Sequence, residues 1–226
     1  EPKELKIDVE SLKRILRIGL PAGIQSAVFS ISNIVIQSAI NSLGMVVMAA
    51  SSAAFNIEVV AYDVLNSFSQ ACTTFVGQNY GAGKLQRCRK TLLLCLLEDA
   101  AASGLAIALV LGSGRFLLSI FNRDPEVISI GYTRLTIVFT AYFFSMLYEV
   151  MSGYLRGFGI SLVPALLTML GVCGVRILWI ATAFPRSRTF QTILLAYPLS
   201  LAATAVLILL ALLIYHPSRR TKGEAV

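Results

Sequence analysis

The stretch from Val47 to Val76, VMAASSAAFNIEVVAYDVLNSFSQACTTFV, decides how the rest of the chain is read. Thirty residues in helical form run about 45 Å, more than the roughly 30 Å of hydrocarbon in a bilayer. Ala, Val and Phe dominate it, yet Glu58 and Asp63 lie well inside. A charge near the bilayer centre costs at least about 2.5 to 3.5 kcal/mol on insertion scales, so acids held there mark a polar pathway between helices rather than a passive anchor.

Working outward, five more apolar stretches reach membrane-spanning length, at about 16–42, 90–112, 131–154, 160–183 and 191–215. Turn-forming residues separate them: Asn41 to Gly44, Gly77 to Gly83, Gly112 to Gly114 with Asn122 to Pro125, Gly157 to Gly159, and Pro185 to Ser187. None of these breaks is long enough for a soluble domain. The fold class is therefore all-α and polytopic, with six transmembrane helices over 18–215. Residues 1–17 place Leu5, Val9, Leu12 and Leu16 at helical spacing among cations, which predicts an interfacial segment before the first span turns in at Pro21. Residues 216–226 form a tail.

Composition agrees, because 56% hydrophobic and 14% charged residues leave too little polar surface for a soluble domain of 226 residues. The net charge of +7 does not point to nucleic acid: no basic stretch is interleaved with aromatics, and the cations fall between apolar spans. Cys72, Cys88, Cys95 and Cys173 lie in or beside the spans without a CxxC spacing, and the single histidine, His216, follows the last span. No metal or disulfide framework is expected from them. Thirteen of the 19 lysines and arginines fall on one side: Lys3, Lys6, Lys13, Arg14 and Arg17, then Lys84, Arg87, Arg89 and Lys90, then Arg156, Arg219, Arg220 and Lys222. Arg115, Arg123, Arg134, Arg186 and Arg188 fall on the other, with Arg176 inside the fifth span. The positive-inside rule predicts both ends in the cytoplasm and a multi-pass protein of the cell membrane. The chain opens at Glu1 without a methionine or a signal-peptide pattern, and six helices are a common half of two-repeat transporters, so a longer natural protein is expected.

Three motifs resemble one family. Ile18-Gly-Leu-Pro-Ala-Gly-Ile-Gln25 opens the first span, Phe75-Val-Gly-Gln-Asn-Tyr-Gly-Ala-Gly83 closes the second, and Tyr154-Leu-Arg-Gly-Phe-Gly159 with Pro164 links the fourth to the fifth. Together they are similar to the C-terminal lobe of multidrug and toxic compound extrusion (MATE) transporters, which have twelve helices. The glycine-rich run before the basic loop is the most specific element. It lacks the Gly-Lys-Ser/Thr ending of a nucleotide-binding loop, since Leu85 follows Lys84. The resemblance implies a secondary antiporter that exports organic cations or other amphiphilic compounds in exchange for Na⁺ or H⁺. It implies no other cofactor, and a partner six-helix lobe. In some members the first helix of this lobe carries a coupling acid. Here no charge lies between Arg17 and Glu58, so that role has no residue to fall on.

The polar residues of the spans form stripes. Ser26, Ser30, Asn33, Gln37 and Asn41 follow helical steps on the first span; Asn56, Asp63, Asn66, Gln70 and Thr73 share a face of the second, with Glu58 and Tyr62 off it; Tyr142, Ser145, Glu149, Ser152 and Arg156 share a face of the fourth. Such side chains often do no more than join helices. Amides at mid-membrane are most readily satisfied by a hydrated cavity, which makes Asn33, Gln37, Asn66, Gln70, Tyr142 and Ser145 the candidate lining. The expected water-accessible face belongs to the first, second and fourth helices, with the sixth dry.

Glu149 and Asp63 are the candidate cation-coupling acids. The resemblance favours Glu149, because coupling acids in this lobe often lie on the corresponding helix. Arg156 is roughly 10 Å along the axis from Glu149, beyond direct contact on a straight helix. Arg176 needs a buried partner. On depth, it lies about 7 Å outward of the middle of its span and Glu58 about 5 Å outward of the middle of its own, which predicts a structural Glu58–Arg176 ion pair or water-bridged contact. Glu98 and Asp99 read as structural groups that reach the basic loop of Arg87 to Lys90 or face water.

Other readings are a flippase for a lipid-linked or polar lipid substrate, a non-transporting assembly subunit, and a membrane-embedded hydrolase using Asp63 and Asp99. The hydrolase has no Gly-x-Gly-Asp context, metal cluster or histidine beside those acids, and the chain is read as a transporter rather than an enzyme.

Overall fold

A computed structural model describes residues 8–215 and residue 217. The chain forms α1 (Val9–Asn41), α2 (Met45–Gly81), α3 (Leu85–Phe121), α4 (Pro125–Gly157), α5 (Leu162–Thr168), a π-helical turn (Met169–Gly174), α6 (Val175–Thr182), α7 (Phe190–Leu194) and α8 (Ala196–Tyr215). The segment from α5 to α6 is one continuous rod, and α7 and α8 together make the sixth. Six rods are long and apolar enough to cross a membrane. Large apolar side chains such as Ile34, Phe75, Leu105, Phe116, Leu178 and Ile214 stand on the outside, as expected where the solvent is lipid.

Several boundaries differ from the sequence reading. Helix α1 runs unbroken through Pro21 from Val9, continuous with the expected interfacial segment, whose first seven residues lie outside the described part, as does most of the tail. The expected break at Gly112 to Gly114 is helical: Gly114 instead admits Tyr132 and Leu135, and an added Cβ would stand 3.1 Å from the tyrosine ring. Helix α2 continues past Gly77 to Gly81, leaving the turn to Ala82, Gly83 and Lys84, where Gly83 takes a φ of 73° that favours glycine.

Helix α4 begins six residues earlier than the spacing predicted. Asp124 caps it by accepting from the Glu126 N–H at 2.8 Å, and Pro125 occupies the first turn, where its missing N–H costs nothing.

Helices α2 and α4 form the central pair. Without a hydrophobic drive between helices in lipid, close backbone approach and hydrogen bonds hold them. Gly157 packs on Val76, so closely that a Cβ would fall 2.7 Å from the valine side chain, and Gly153 lies against Ser69 and Thr73. Ser69 Oγ donates to the Glu149 carbonyl at 2.7 Å, and Thr73 Oγ1 to that of Gly153 at 3.1 Å. Gly171 of the π turn plays the same part against Thr204 of α8.

Candidate functional site

Helices α1, α2, α4, α6 and α8, with the π turn, surround a half-open cavity of about 240 Å³. Asn33 comes from α1, Glu58 and Tyr62 from α2, Tyr142, Ser145 and Tyr148 from α4, and Arg176 from α6. Phe29, Phe55, Val59, Val138 and Val172 supply apolar wall. Helix α8, expected to be dry, contributes Tyr197 and Leu201. Its tyrosine lies one residue into the helix, inside the uncharged run from Ile193 to Tyr215 that suggested a dry rod, and is one of the few hydroxyls there. A neighbouring recess of about 260 Å³ shares Asn33, Phe55 and Tyr197 and reaches Gln37 and Arg134.

The ion pair at this cavity is not the one expected. Glu58, 4% exposed, is held by Arg134, 2% exposed, with Nε donating to Oε1 at 2.6 Å and Nη2 to Oε2 at 2.8 Å. This fork is the strong bidentate geometry. Arg134 Nη1 also donates to Ser51 Oγ, and Nη2 reaches the Tyr197 hydroxyl at 3.4 Å. The sequence reading placed Arg134 at the outer membrane edge. With the helix starting at Pro125, Arg134 is nine residues in, about 13 Å along the axis. Arg176 lines the same cavity as Glu58 but meets other groups. Its Nε donates to Ser200 Oγ at 3.1 Å, and its guanidinium stacks over the Tyr197 ring, 4.4 Å from the centroid.

Glu149 lies behind the cavity wall, 8% exposed. The hydroxyl of Tyr62, which itself lines the cavity, donates to Glu149 Oε1 at 2.8 Å. Arg156 Nη2 lies 3.8 Å from Oε2, a contact that the axial spacing argued against. Helical side chains tilt toward the N-terminus, so the long Arg156 chain reaches back along the axis toward Glu149. On the way it donates to Ser69 Oγ at 2.8 Å.

The remaining candidates are dispersed. Asp63 and Gln70 are exposed on α2, Asn66 is half-buried there, and none of them lines this cavity. Gln37 donates to Asn41 Oδ1 at 2.8 Å along α1. Asp99, expected to reach the basic loop or face water, is instead fully buried. It accepts from Ser103 Oγ at 2.8 Å through Oδ1, and its Oδ2 has no partner among the described residues. Among the described residues no group of three or more His, Cys, Asp or Glu converges on a metal position.

The MatE family model matches residues 21–181, more than two thirds of the chain. The chain belongs to the MATE family. A probable multidrug resistance protein NorM of Thermotoga maritima is 28% identical over 220 residues, covering 96% of this chain and 46% of that protein. A probable multidrug resistance protein YoeA of Bacillus subtilis is 26% identical over 76% of this chain and 37% of its own length. An FAD transporter of Shewanella oneidensis is 28% identical over 51% of this chain. A solved MATE transporter in its inward-facing conformation superimposes with a TM-score of 0.82 at 17% identity, over the whole of this chain and 52% of that one. The chain thus spans about half the length of the Thermotoga relative and of the solved structure, and less than that of the Bacillus relative.

Proposed function

We propose that this lobe works in a proton-coupled antiporter exporting aromatic, amphiphilic small molecules, and that Glu149 carries the proton. The observation behind this reading is the hydrogen bond from Tyr62, a cavity residue, to Glu149, an acid screened from that cavity. With Glu149 ionised, its carboxylate holds the Tyr62 hydroxyl and attracts Arg156. Protonation removes the charge, weakens both interactions and releases the Tyr62 hydroxyl toward the cavity. The released Tyr62 side chain then takes up cavity space that substrate needs, so protonation weakens substrate binding. Substrate, by pressing Tyr62 back onto the ionised carboxylate, expels the proton, which is the linkage that exchange requires.

The surroundings of Glu149 favour H⁺ over Na⁺. Hard cations take several oxygen ligands, whereas the groups bonded or paired to this carboxylate are a hydroxyl hydrogen and a guanidinium. A proton needs only the carboxylate. Alternating access would rock this lobe against its counterpart around a shared site, with both ends of the present segment in the cytoplasm, as the distribution of lysine and arginine predicts.

The test is dye efflux by the protein as its gene encodes it, in inside-out vesicles under an imposed pH or sodium gradient. A pH gradient should drive transport and Glu149→Gln should remove that dependence while the protein still reaches the membrane. Transport driven by the sodium gradient alone would refute proton coupling.

The flippase alternative gains one observation: two arginines, not one, lie inside spans at the cavity. Arg134 is neutralised by Glu58, however, leaving a single uncompensated cation there.

A further inference from the structure

The charges around the 240 Å³ cavity do not cancel. Glu58 lines the cavity, but both of its carboxylate oxygens are taken by Arg134. Arg176 has no carboxylate within 4 Å among the described residues, although it is only 8% exposed and stays charged at any physiological pH. Its Nε is satisfied by Ser200. Among the described residues its two terminal nitrogens have no hydrogen-bond partner, and neither is fully buried. A charge held out of water in this way is costly unless something pairs with it.

The fold holds Arg176 in that position. The π turn Met169–Gly174 ends directly before α6, and its wider winding shifts the register of that helix. Tyr197 then offers its ring face to Arg176 and its hydroxyl to Arg134, which holds the guanidinium at the cavity wall.

We propose that Arg176 is the anion-recognising group of the substrate site, so that this lobe receives the carboxylate of an aromatic, anionic or zwitterionic substrate. The inference rests on the transport reading above and narrows its substrate class. A guanidinium edge matches a carboxylate bidentately. Tyr62, Tyr142, Tyr197, Phe29 and Phe55 surround it with aromatic surface for an attached ring. The cavity is smaller than the roughly 300 to 1,000 Å³ of drug-sized sites, so it takes the anionic end and leaves the remainder of the substrate to the open side.

The experiment is fluorescence polarisation with the purified protein as its gene encodes it, using a rhodamine with a free carboxylate and the methyl ester of the same dye. The wild type should bind the carboxylate at least about tenfold more tightly, the lower range of a charge-assisted hydrogen bond. Arg176→Gln should remove the preference and Arg176→Lys should keep part of it. Asn33→Asp, which places a compensating charge on the cavity wall without touching Arg176, should shift preference to the ester. It keeps the test decisive if Arg176→Gln does not fold. Equal binding of the two dyes by the wild type, preference for the ester, or an unchanged preference in Asn33→Asp would overturn the proposal. Carboxylate-selective binding without gradient-driven efflux in vesicles would defeat the transport reading and leave the assignment of Arg176 standing.

Discussion

Replacing Arg134 with Met should be among the most damaging changes available in this chain. The substitution keeps most of the apolar volume and removes both bonds to the Glu58 carboxylate, at 2.6 and 2.8 Å, together with the contact to Ser51. Glu58 is 4% exposed, so its charge would be left without a partner or access to bulk solvent. Breaking a buried pair from one side costs about 3 to 5 kcal/mol. For a unit of this size each kcal/mol moves the melting temperature by about 2 to 4 °C, giving an expected fall of about 6 to 20 °C. The four described cysteines are all buried, so a dye that fluoresces on reacting with thiols reports unfolding directly. Glu58→Met with Arg134→Met should recover most of the loss, since neither charge is then stranded. A double-mutant cycle should find strong coupling between Glu58 and Arg134 and almost none between Glu58 and Arg176. A fall under about 3 °C for Arg134→Met, or stronger coupling of Glu58 to Arg176, would refute the reasoning.

Other consequences arise from the packing and the site. Gly157→Val adds atoms where a Cβ already falls 2.7 Å from Val76, and should cost about 1 to 3 kcal/mol, read in the same thermal assay; an unchanged melting temperature would mean that α2 and α4 approach less closely. Tyr62→Phe removes the donor to Glu149 Oε1 and should displace the pH profile of efflux while leaving expression intact, whereas an unchanged profile would separate Tyr62 from coupling. Asp99→Asn keeps an acceptor for Ser103 and removes a buried carboxyl with an unpartnered oxygen, so stability should hold or rise; a loss above about 2 kcal/mol would show that the carboxyl has a further partner. In a cysteine-free background, a cysteine at the exposed, cavity-lining Asn33 should react with a hydrophilic thiol reagent and one at the fully buried Ile208 should not.

The legible part of this fold was the part that depends on length and periodicity. Six apolar runs gave six rods, and the stripe containing Tyr142, Ser145 and Glu149 does lie on the inward face of α4. Depth along the axis was also useful, since Glu58 and Arg176 do line one cavity. Their pairing could not be read this way, because depth says nothing of azimuth around the bundle and Arg134 reaches Glu58 from the neighbouring helix, by way of the adjoining recess. Asp124-Pro125-Glu126 was the available signal: a cap, a first-turn proline and a first-turn acid start α4 early enough to bury Arg134. The expected break at 112–114 misled for a related reason, since a glycine in a membrane helix can mark a close neighbour, as Gly114 does against Tyr132, instead of a break. Asp99 was expected to reach the basic loop or face water from its nearness to the helix end, while the next residue along the helix from exposed Glu98 turns inward to complete burial.

The most direct measurement of coupling is the proton exchanged when substrate binds to purified protein in weakly buffered detergent solution, followed with a pH dye. Addition of a saturating transported substrate to the wild type should release a proton, and Glu149→Gln should bind the same substrate and release none. Equal proton release by both proteins would contradict the assignment of the coupling proton to Glu149.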